Sequence, residues 1–187
     1  LRPGCDPKQF APNVSAVRIG WKGEDRVALR LEDIELIQQL KYRYFRSLDR
    51  ADWDTMHTVL APDATTAYIG ADYRHELSGA EAIIAFLADG MNGKAVACHI
   101  GHHPEIDVLS DTEAEGRWYL TDMYINFDDG TILHGSAIYR DRYRKIDGGW
   151  RIQHTGYTRI YEQVEPLPKH LNLTAHCLAG VKRPAAC

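Results

Sequence analysis

An aspartate in the middle of a predicted strand is the first residue whose position suggests chemistry. Alternation along residues 114–126 places Asp122 on the same face as Trp118, Leu120 and Tyr124. A carboxylate on an aromatic face loses hydration unless it is paired, so Asp122 needs either a partner or a catalytic task. The alternative is an aspartate at the sheet rim that accepts a hydrogen bond from a neighbouring backbone amide.

Three histidines follow one another closely at positions 99, 102 and 103. Strand alternation places His99 and His102 on opposite faces, and no third convergent ligand is indicated, so we expect no metal site. Imidazole titrates near neutral pH, which makes a general base the alternative interpretation. His99 is the better candidate because it lies in an apolar strand, whereas His102 and His103 precede Pro104 and are typical of a turn.

The end of a predicted helix carries two further candidates. Tyr44 lies on the apolar stripe of this helix, and Asp49 lies near its C-terminus. Negative charge is unfavourable at a helix C-terminus, so Asp49 is either a solvated capping residue or the partner of a cation such as protonated histidine. Tyr44, taken alone, fits a core tyrosine whose hydroxyl is satisfied by another protein group.

The elements that must position these residues are helices followed by strands. Apolar residues recur at helical spacing over 31–48, and a short helix is predicted over 53–60 with Asp52 as its cap. A third helix follows Ser78, with Glu81 completing a capping box, and runs to about Leu87. The predicted strands are 64–69, 95–100, 104–109, 114–126, 132–145 and 150–161. This order predicts an α+β fold with helices on one face of a largely antiparallel sheet, and a pocket between the two layers.

Composition excludes several classes of function. The 187 residues suit one domain, and a net charge of −4 gives no electrostatic basis for binding nucleic acid or an anionic membrane. No apolar run approaches the roughly 20 residues that span a bilayer, and no signal peptide is indicated. The four cysteines, at positions 5, 98, 177 and 187, form neither a disulfide framework nor a thiol metal motif. We therefore expect a cytoplasmic protein.

Domain boundaries follow from where the periodic pattern starts and fades. Residues 1–30 contain proline and glycine without a sustained period and are predicted to be a loose leader. The domain covers residues 31–165. Residues 166–187 are predicted to form a C-terminal arm and tail, with the arm over 170–176.

Four ordered stretches carry a resemblance to a known family. They are residues 34–49, 99–106, 116–122 and 155–162. Together they resemble the SnoaL-like branch of the NTF2-like superfamily over about 31–165, and the nearest likeness is to the bile-acid 7α-dehydratases, with a further likeness to scytalone dehydratase. The resemblance implies a cone with a curved, mixed, mostly antiparallel sheet and three N-terminal helices packed in its concave face.

The resemblance also assigns roles to particular residues. It implies a catalytic group of Tyr44, Asp49 and His99, with Asp122 as a further polar residue of the pocket. It implies substrate-binding side chains at Tyr68, Trp118 and Arg159.

The activity implied is that of a carbon–oxygen lyase, a dehydratase that needs no metal, nucleotide or flavin. His99 would be the base, oriented by Asp49, and Tyr44 would donate a hydrogen bond to the substrate oxygen. The substrate would be a small apolar hydroxy-ketone, either a hydroxylated steroid, bile-acid-like or polyketide-like, with or without a coenzyme A thioester. The alternatives are an isomerase, a polyketide cyclase, or a non-enzymatic protein of the same fold that binds a small molecule.

A homotrimer is the expected assembly. Tyrosine is frequent at subunit interfaces, and the outer face of the sheet is expected to carry several of them. The residues predicted for this face are Tyr119, Tyr139, Tyr143 and Tyr157.

Overall fold

The computed structural model describes residues 30–182, so all but the last residue of the predicted leader over 1–30, and residues 183–187 of the predicted tail, lie outside the described residues. The helices are α1 (Leu31–Arg50), α2 (Trp53–Val59) and α3 (Ala80–Gly90). The strands are β1 (Leu60–Ile69), β2 (Arg74–Ser78), β3 (Ala95–Val108), β4 (Glu113–Asn126), β5 (Thr131–Ile146) and β6 (Gly149–Pro166).

The six strands form one sheet in the order β2-β1-β6-β5-β4-β3. β1 and β6 run parallel, and every other neighbouring pair is antiparallel. The apolar stripe of α1 is buried, with Ile37, Leu40 and Tyr44 each no more than 1% exposed. The predicted α+β fold, with three helices and a curved mixed sheet, is confirmed.

The two short helices begin in different ways. Asp52 caps α2 as predicted, because its Oδ1 accepts a hydrogen bond from the backbone N–H of Thr55 at 3.1 Å. The capping box predicted for α3 is wrong. Ser78 is the last residue of β2 and pairs with Thr65, so its backbone is extended, and Gly79 (φ +91°) occupies the N-cap position without a side-chain bond.

Strand boundaries also differ from the prediction. β2 was not predicted, and β1 begins at Leu60, four residues before the predicted start. The two strands predicted over 95–100 and 104–109 are a single strand, β3. Its pairing with β4 shifts register between His102 and Glu105, and His103 (φ +48°) adopts the left-handed conformation there. The turn-like character of these histidines therefore reflects a β-bulge within a continuous strand.

Three of the four tyrosines predicted for the outer face lie elsewhere. Tyr139 and Tyr143 are each 2% exposed and belong to the core. Tyr157 stacks on Tyr68 with ring centroids 5.0 Å apart. Tyr119 is 48% exposed and remains on the outer face. The strand register turns alternate residues of β5 and β6 inward. The homotrimer stays a prediction, but these three residues no longer support it.

Beyond β6 the described chain contains neither helix nor strand, yet it is attached to the domain. Leu178 is 1% exposed and joins the core, and the backbone N–H of Gly93 donates to the Val181 carbonyl at 2.7 Å. His176 Nε2 lies 2.9 Å from the Ala95 carbonyl oxygen. The arm therefore packs beside the start of β3. None of the described helices is long and apolar enough to cross a membrane.

Candidate active site

A cavity of about 360 Å³ lies between the helices and the inner face of the sheet. This volume is near the lower end of the roughly 300–1,000 Å³ common for small-molecule sites. Its apolar wall consists of Leu48, Phe86, Leu87, Met91 and Leu133. Its polar lining includes Tyr73, His99, Asp122, Tyr157, Arg159 and Glu162.

Asp49 and His99 form the best-defined contact at this cavity. Asp49 lies in the last turn of α1, and its Oδ1 is 2.6 Å from His99 Nδ1. Its Oδ2 accepts a hydrogen bond from the backbone N–H of His99 at 3.0 Å. A carboxylate can only accept, so Nδ1 carries a proton, and in the neutral imidazole Nε2 is the nitrogen that keeps its lone pair. The predicted pairing of Asp49 with an imidazole is present.

The ring of His99 is also supported by packing. Phe45 stacks on it with the two ring planes 8° apart. A Cβ atom at Gly101 would overlap the Phe45 ring, so glycine at this position allows the phenyl ring to lie against β3. The imidazole is therefore held by α1 on two sides, through a carboxylate and through an aromatic face.

Asp122 and Arg159 form a second buried pair. Arg159 Nη1 donates to Asp122 Oδ1 at 2.6 Å, and Nη2 donates to Oδ2 at 2.8 Å. The side chain of Arg159 is 9% exposed, and that of Asp122 is 4% exposed. Burial alone would lower the pKa of Arg159, but hydrogen bonds to Asp122 and Tyr73 outweigh it and raise that pKa. Asp122 lies on the buried face that alternation predicted, and Arg159 is its partner.

Gly135 makes room for this pair. It lies opposite Asp122 in the β4–β5 ladder. A Cβ atom here would be 2.6 Å from Arg159 Nη1 and 2.8 Å from Asp122 Oδ1. The absence of a side chain on β5 therefore allows the guanidinium to cross from β6 to β4.

Several lining residues were not predicted from the sequence, among them Tyr73, Tyr157 and Glu162. Tyr73 OH lies 3.1 Å from Tyr157 OH and 3.1 Å from Glu162 Oε2. Arg159 Nε donates to Tyr73 OH at 3.2 Å. Burial raises the pKa of Tyr157, so its hydroxyl stays protonated. The aromatic residues that precede β2 could have signalled Tyr73, but the inward position of Glu162 depends on a bulge that alternation does not predict.

Tyr44 and Tyr68 lie behind the cavity wall. Tyr44 is fully buried, and its hydroxyl is 2.8 Å from that of Tyr68. Burial is the main cause that raises the pKa of Tyr44 well above 10. Tyr68 in turn stacks on Tyr157, which does line the cavity. Contrary to the expectation of direct contact with substrate, these two residues support the wall from behind.

Trp118 was expected to bind substrate, and the structure places it away from this cavity. The residue is 1% exposed, and its Nε1 donates to Tyr143 OH at 2.9 Å. It packs edge-on against Tyr42 of α1 and lies outside the cavity. Alternation placed Trp118 on the correct face of β4, but the core beneath α1 takes up that part of the face.

The histidine cluster is divided between the two faces of β3, as predicted. His99 faces Asp49 on the inner side, and His102 Nε2 lies 2.8 Å from Thr121 Oγ1 on the outer side. Within residues 30–182, no group of three or more histidine, cysteine, aspartate or glutamate side chains is arranged to hold a metal ion.

Comparison with known proteins agrees with this geometry. The model of the SnoaL-like domain family matches residues 29–156. Scytalone dehydratase arp1 of Aspergillus fumigatus is 26% identical over 136 residues, which cover 67% of this chain and 80% of that protein.

Two solved structures show the same fold. A candidate scytalone dehydratase from Novosphingobium aromaticivorans has a TM-score of 0.64 at 18% identity, covering 76% of this chain and 97% of its own. The hexachlorocyclohexane dehydrochlorinase LinA-type3 of Novosphingobium barchaimii has a TM-score of 0.64 at 16% identity, covering 79% and 97%. With a family model matched over more than half of its length, this chain belongs to the SnoaL-like domain family.

Proposed function

We propose that this protein is a cofactor-independent dehydratase that removes water from a small apolar hydroxy-ketone. The observation that carries the proposal is the Asp49–His99 pair, which presents an imidazole with a free Nε2 to a cavity with an apolar wall. Relatives described as a scytalone dehydratase and a hexachlorocyclohexane dehydrochlorinase support elimination chemistry in general.

Elimination needs a base at an acidic C–H bond and a proton for the departing hydroxyl. His99 Nε2 takes the proton from the carbon next to the carbonyl group, or from the vinylogous carbon of a conjugated enone, and Asp49 stabilises the imidazolium that forms. The electron pair of the broken C–H bond becomes the new C=C bond as the C–O bond breaks. The imidazolium then returns its proton to the leaving hydroxyl, which departs as water.

The carbonyl oxygen of the substrate gains negative charge during this step and needs a donor. Tyr157 and Arg159 both line the cavity and carry N–H or O–H groups. Two N–H groups of the guanidinium are not used in its contacts with Asp122, Tyr73 and Glu162. The hydroxyl proton of Tyr157 is directed to Tyr73 OH, which itself donates to Glu162, so we assign oxyanion stabilisation to Arg159. Tyr44, buried behind Tyr68, then positions the wall.

The substrate class follows from the size and lining of the cavity. About 360 Å³ with a mainly aliphatic and aromatic wall suits a compact ring system of a polyketide-like or steroid-like ketone. A coenzyme A thioester, if present on the substrate, would have to extend outside this volume.

The test is turnover monitored by ultraviolet absorbance with a panel of substrates. The panel contains a 7α-hydroxy-3-oxo-Δ4-steroid, its coenzyme A thioester, and a bicyclic β-hydroxy-ketone. Wild type should generate new enone or dienone absorbance with at least one of them, and His99→Asn should not. His102→Asn is the matched control because this imidazole lies on the outer face of the same strand. Equal rates for wild type and His99→Asn would refute the mechanism.

The rival functions give different results in the same assay. An isomerase would shift absorbance without losing a hydroxyl, and a cyclase would act on none of these three substrates but would consume an open-chain polyketone added to the panel. A binding protein would retain ligand without turnover and would be insensitive to His99→Asn. Mass spectrometry of the products separates these outcomes, because dehydration alone removes one water.

A further inference from the structure

The charges around the cavity are unbalanced. Two carboxylates of the lining, Asp122 and Glu162, contact Arg159, and the carboxylate of Asp49 lies directly behind His99. Among the lining residues that the structure describes, Arg159 is the only lysine or arginine. Its single positive charge is therefore outnumbered, even before a ligand enters.

Arg159 is compensated twice. Both terminal nitrogens of the Arg159 guanidinium donate to the carboxylate of Asp122 in a bidentate contact. Glu162 Oε2 then lies 2.8 Å from the remaining nitrogen, Nε. One of these carboxylates would neutralise the cation, so the second leaves a net negative charge at the polar end of the cavity.

The position of Glu162 depends on a bulge in β6. Arg159 pairs with Ala137 and Tyr161 with Ser136, so Ile160 is the extra residue. The bulge reverses the alternation, and Glu162 faces inward although it lies three residues after Arg159. Glu162 is partly shielded, with its side chain 21% exposed, and it accepts a hydrogen bond from Tyr73 OH.

We infer that Glu162 determines the charge specificity of this cavity, so that it accepts an uncharged ligand and rejects an anionic one of the same shape. A carboxylate or sulfonate placed near Arg159 would meet Glu162 and Asp122 at the same time. The carbonyl group of a ketone needs only a donor and has no such conflict. The inference rests on the proposed function only in taking this cavity as the substrate site.

A matched pair of fluorescent probes tests the inference without turnover. N-phenyl-1-naphthylamine is uncharged, and 1-anilinonaphthalene-8-sulfonate adds one sulfonate to the same ring system. Leu133→Trp fills the cavity from β5. Probe binding is attributed to the cavity only when this substitution abolishes it. Wild type should bind the uncharged probe at least about tenfold more tightly than the anionic one, since one unit charge at close range has an effect of this order.

Glu162→Gln removes the charge and keeps the shape. This variant should bind the anionic probe about tenfold more tightly than wild type, with affinity for the uncharged probe unchanged. Glu165→Gln is the control, because this exposed side chain lies outside the cavity on the same strand. A loss of structure would alter both probes together.

Three results would overturn the inference. They are equal wild-type affinity for the two probes, an affinity of Glu162→Gln for the anionic probe that equals that of wild type, and uncharged-probe binding that survives Leu133→Trp. None of these results depends on elimination activity. A protein that discriminates the probes but turns over no hydroxy-ketone would refute the proposed function and leave the charge specificity standing.

Discussion

The Nδ1 atom of His99 lies 2.6 Å from Oδ1 of Asp49, and the backbone N–H of the same histidine donates to Oδ2 at 3.0 Å. One carboxylate therefore fixes both the ring and the main chain of β3. Because the carboxylate accepts twice, it also selects the tautomer with a free Nε2. An aspartate at an electrostatically unfavourable helix end thus acquires a role that depends on its negative charge.

Asp49→Asn should disturb that tautomer and slow catalysis by about 10²- to 10⁴-fold, the range typical of losing acid–base catalysis. An amide can donate to Nδ1, which would move the proton of the imidazole to Nε2 and remove the base. Nitrogen NMR of the His99 ring measures the tautomer directly. Asp52→Asn, which alters an exposed cap three residues later, is the control. An unchanged His99 spectrum would contradict the assignment.

Gly135→Ala should separate Arg159 from Asp122. The new Cβ atom would lie 2.6 Å from Arg159 Nη1, so the pair must move or the strand must shift. Overpacking of this kind typically costs about 1–3 kcal/mol of unfolding free energy. Denaturant unfolding measures the loss, and Gly149→Ala is the control because the nearest atom there is 3.8 Å away. Equal stability of Gly135→Ala and Gly149→Ala would show that the space beside Gly135 tolerates a methyl group.

Acid should remove a contribution that Asp33 makes to stability. Lys145 Nζ and Trp150 Nε1 each donate to its Oδ1 at 2.8 Å, and the hydrogen bond from Lys145 does most to lower the pKa of this carboxyl below 3.8. Because the pKa of Asp33 is lower in the folded state than in the unfolded state, its contribution to stability is fully present above the unfolded-state pKa. It is lost as the pH falls through the folded pKa.

Asp33→Asn should therefore be less stable than wild type at pH 7, and the difference should shrink below about pH 4. Urea unfolding measured between pH 3 and pH 7 gives both values. Asp111→Asn should change little, because this carboxylate is 93% exposed where it meets Arg30. A constant difference between Asp33→Asn and wild type at all pH values would contradict the linkage.

Sequence patterns predicted the parts of this protein that depend on short-range periodicity. The stripe of α1 and the alternation of β4 follow directly from burial, so Tyr44 and Asp122 were placed on the correct faces. The unfavourable charge at a helix end indicated a cationic partner for Asp49, and His99 is the side chain it meets. The placements of Tyr44 and Asp122 succeeded because each depends on a single element, whereas the contact of Asp49 with His99 joins α1 and β3 and was indicated by charge.

Features that depend on register between strands were not predictable in this way. The inward position of Glu162 requires the bulge at Ile160, and the bidentate pair requires Gly135 to lie opposite Asp122. Tyr139 and Tyr143 were placed outside, although the register turns them inward. Lys41 was not singled out, although it lies four residues after Ile37 on the apolar stripe of α1. A lysine on the apolar stripe of a helix can be identified as a buried charge only when its partner on a strand is known.

That partner is Asp141, whose Oδ2 lies 2.8 Å from Lys41 Nζ, with both side chains fully buried. Lys41 also donates to Thr155 Oγ1 at 3.0 Å and lies 3.7 Å from the centroid of the Tyr139 ring. The other oxygen of Asp141 has no partner among the described residues. Asp141 therefore depends on Lys41 for much of the compensation of its charge.

Lys41→Met should lower the unfolding free energy by about 3–5 kcal/mol, because it leaves a buried carboxylate without its cation. Adding Asp141→Leu should recover part of the loss, since an apolar pair avoids the cost of burying two charges. Denaturant unfolding of both single variants and the double variant completes the thermodynamic cycle. Lys94→Met, at a 66% exposed lysine 3.7 Å from Asp128, should change stability by less than about 1 kcal/mol. Strictly additive effects of the two core substitutions would mean that Lys41 and Asp141 contribute independently, contrary to the contact between them.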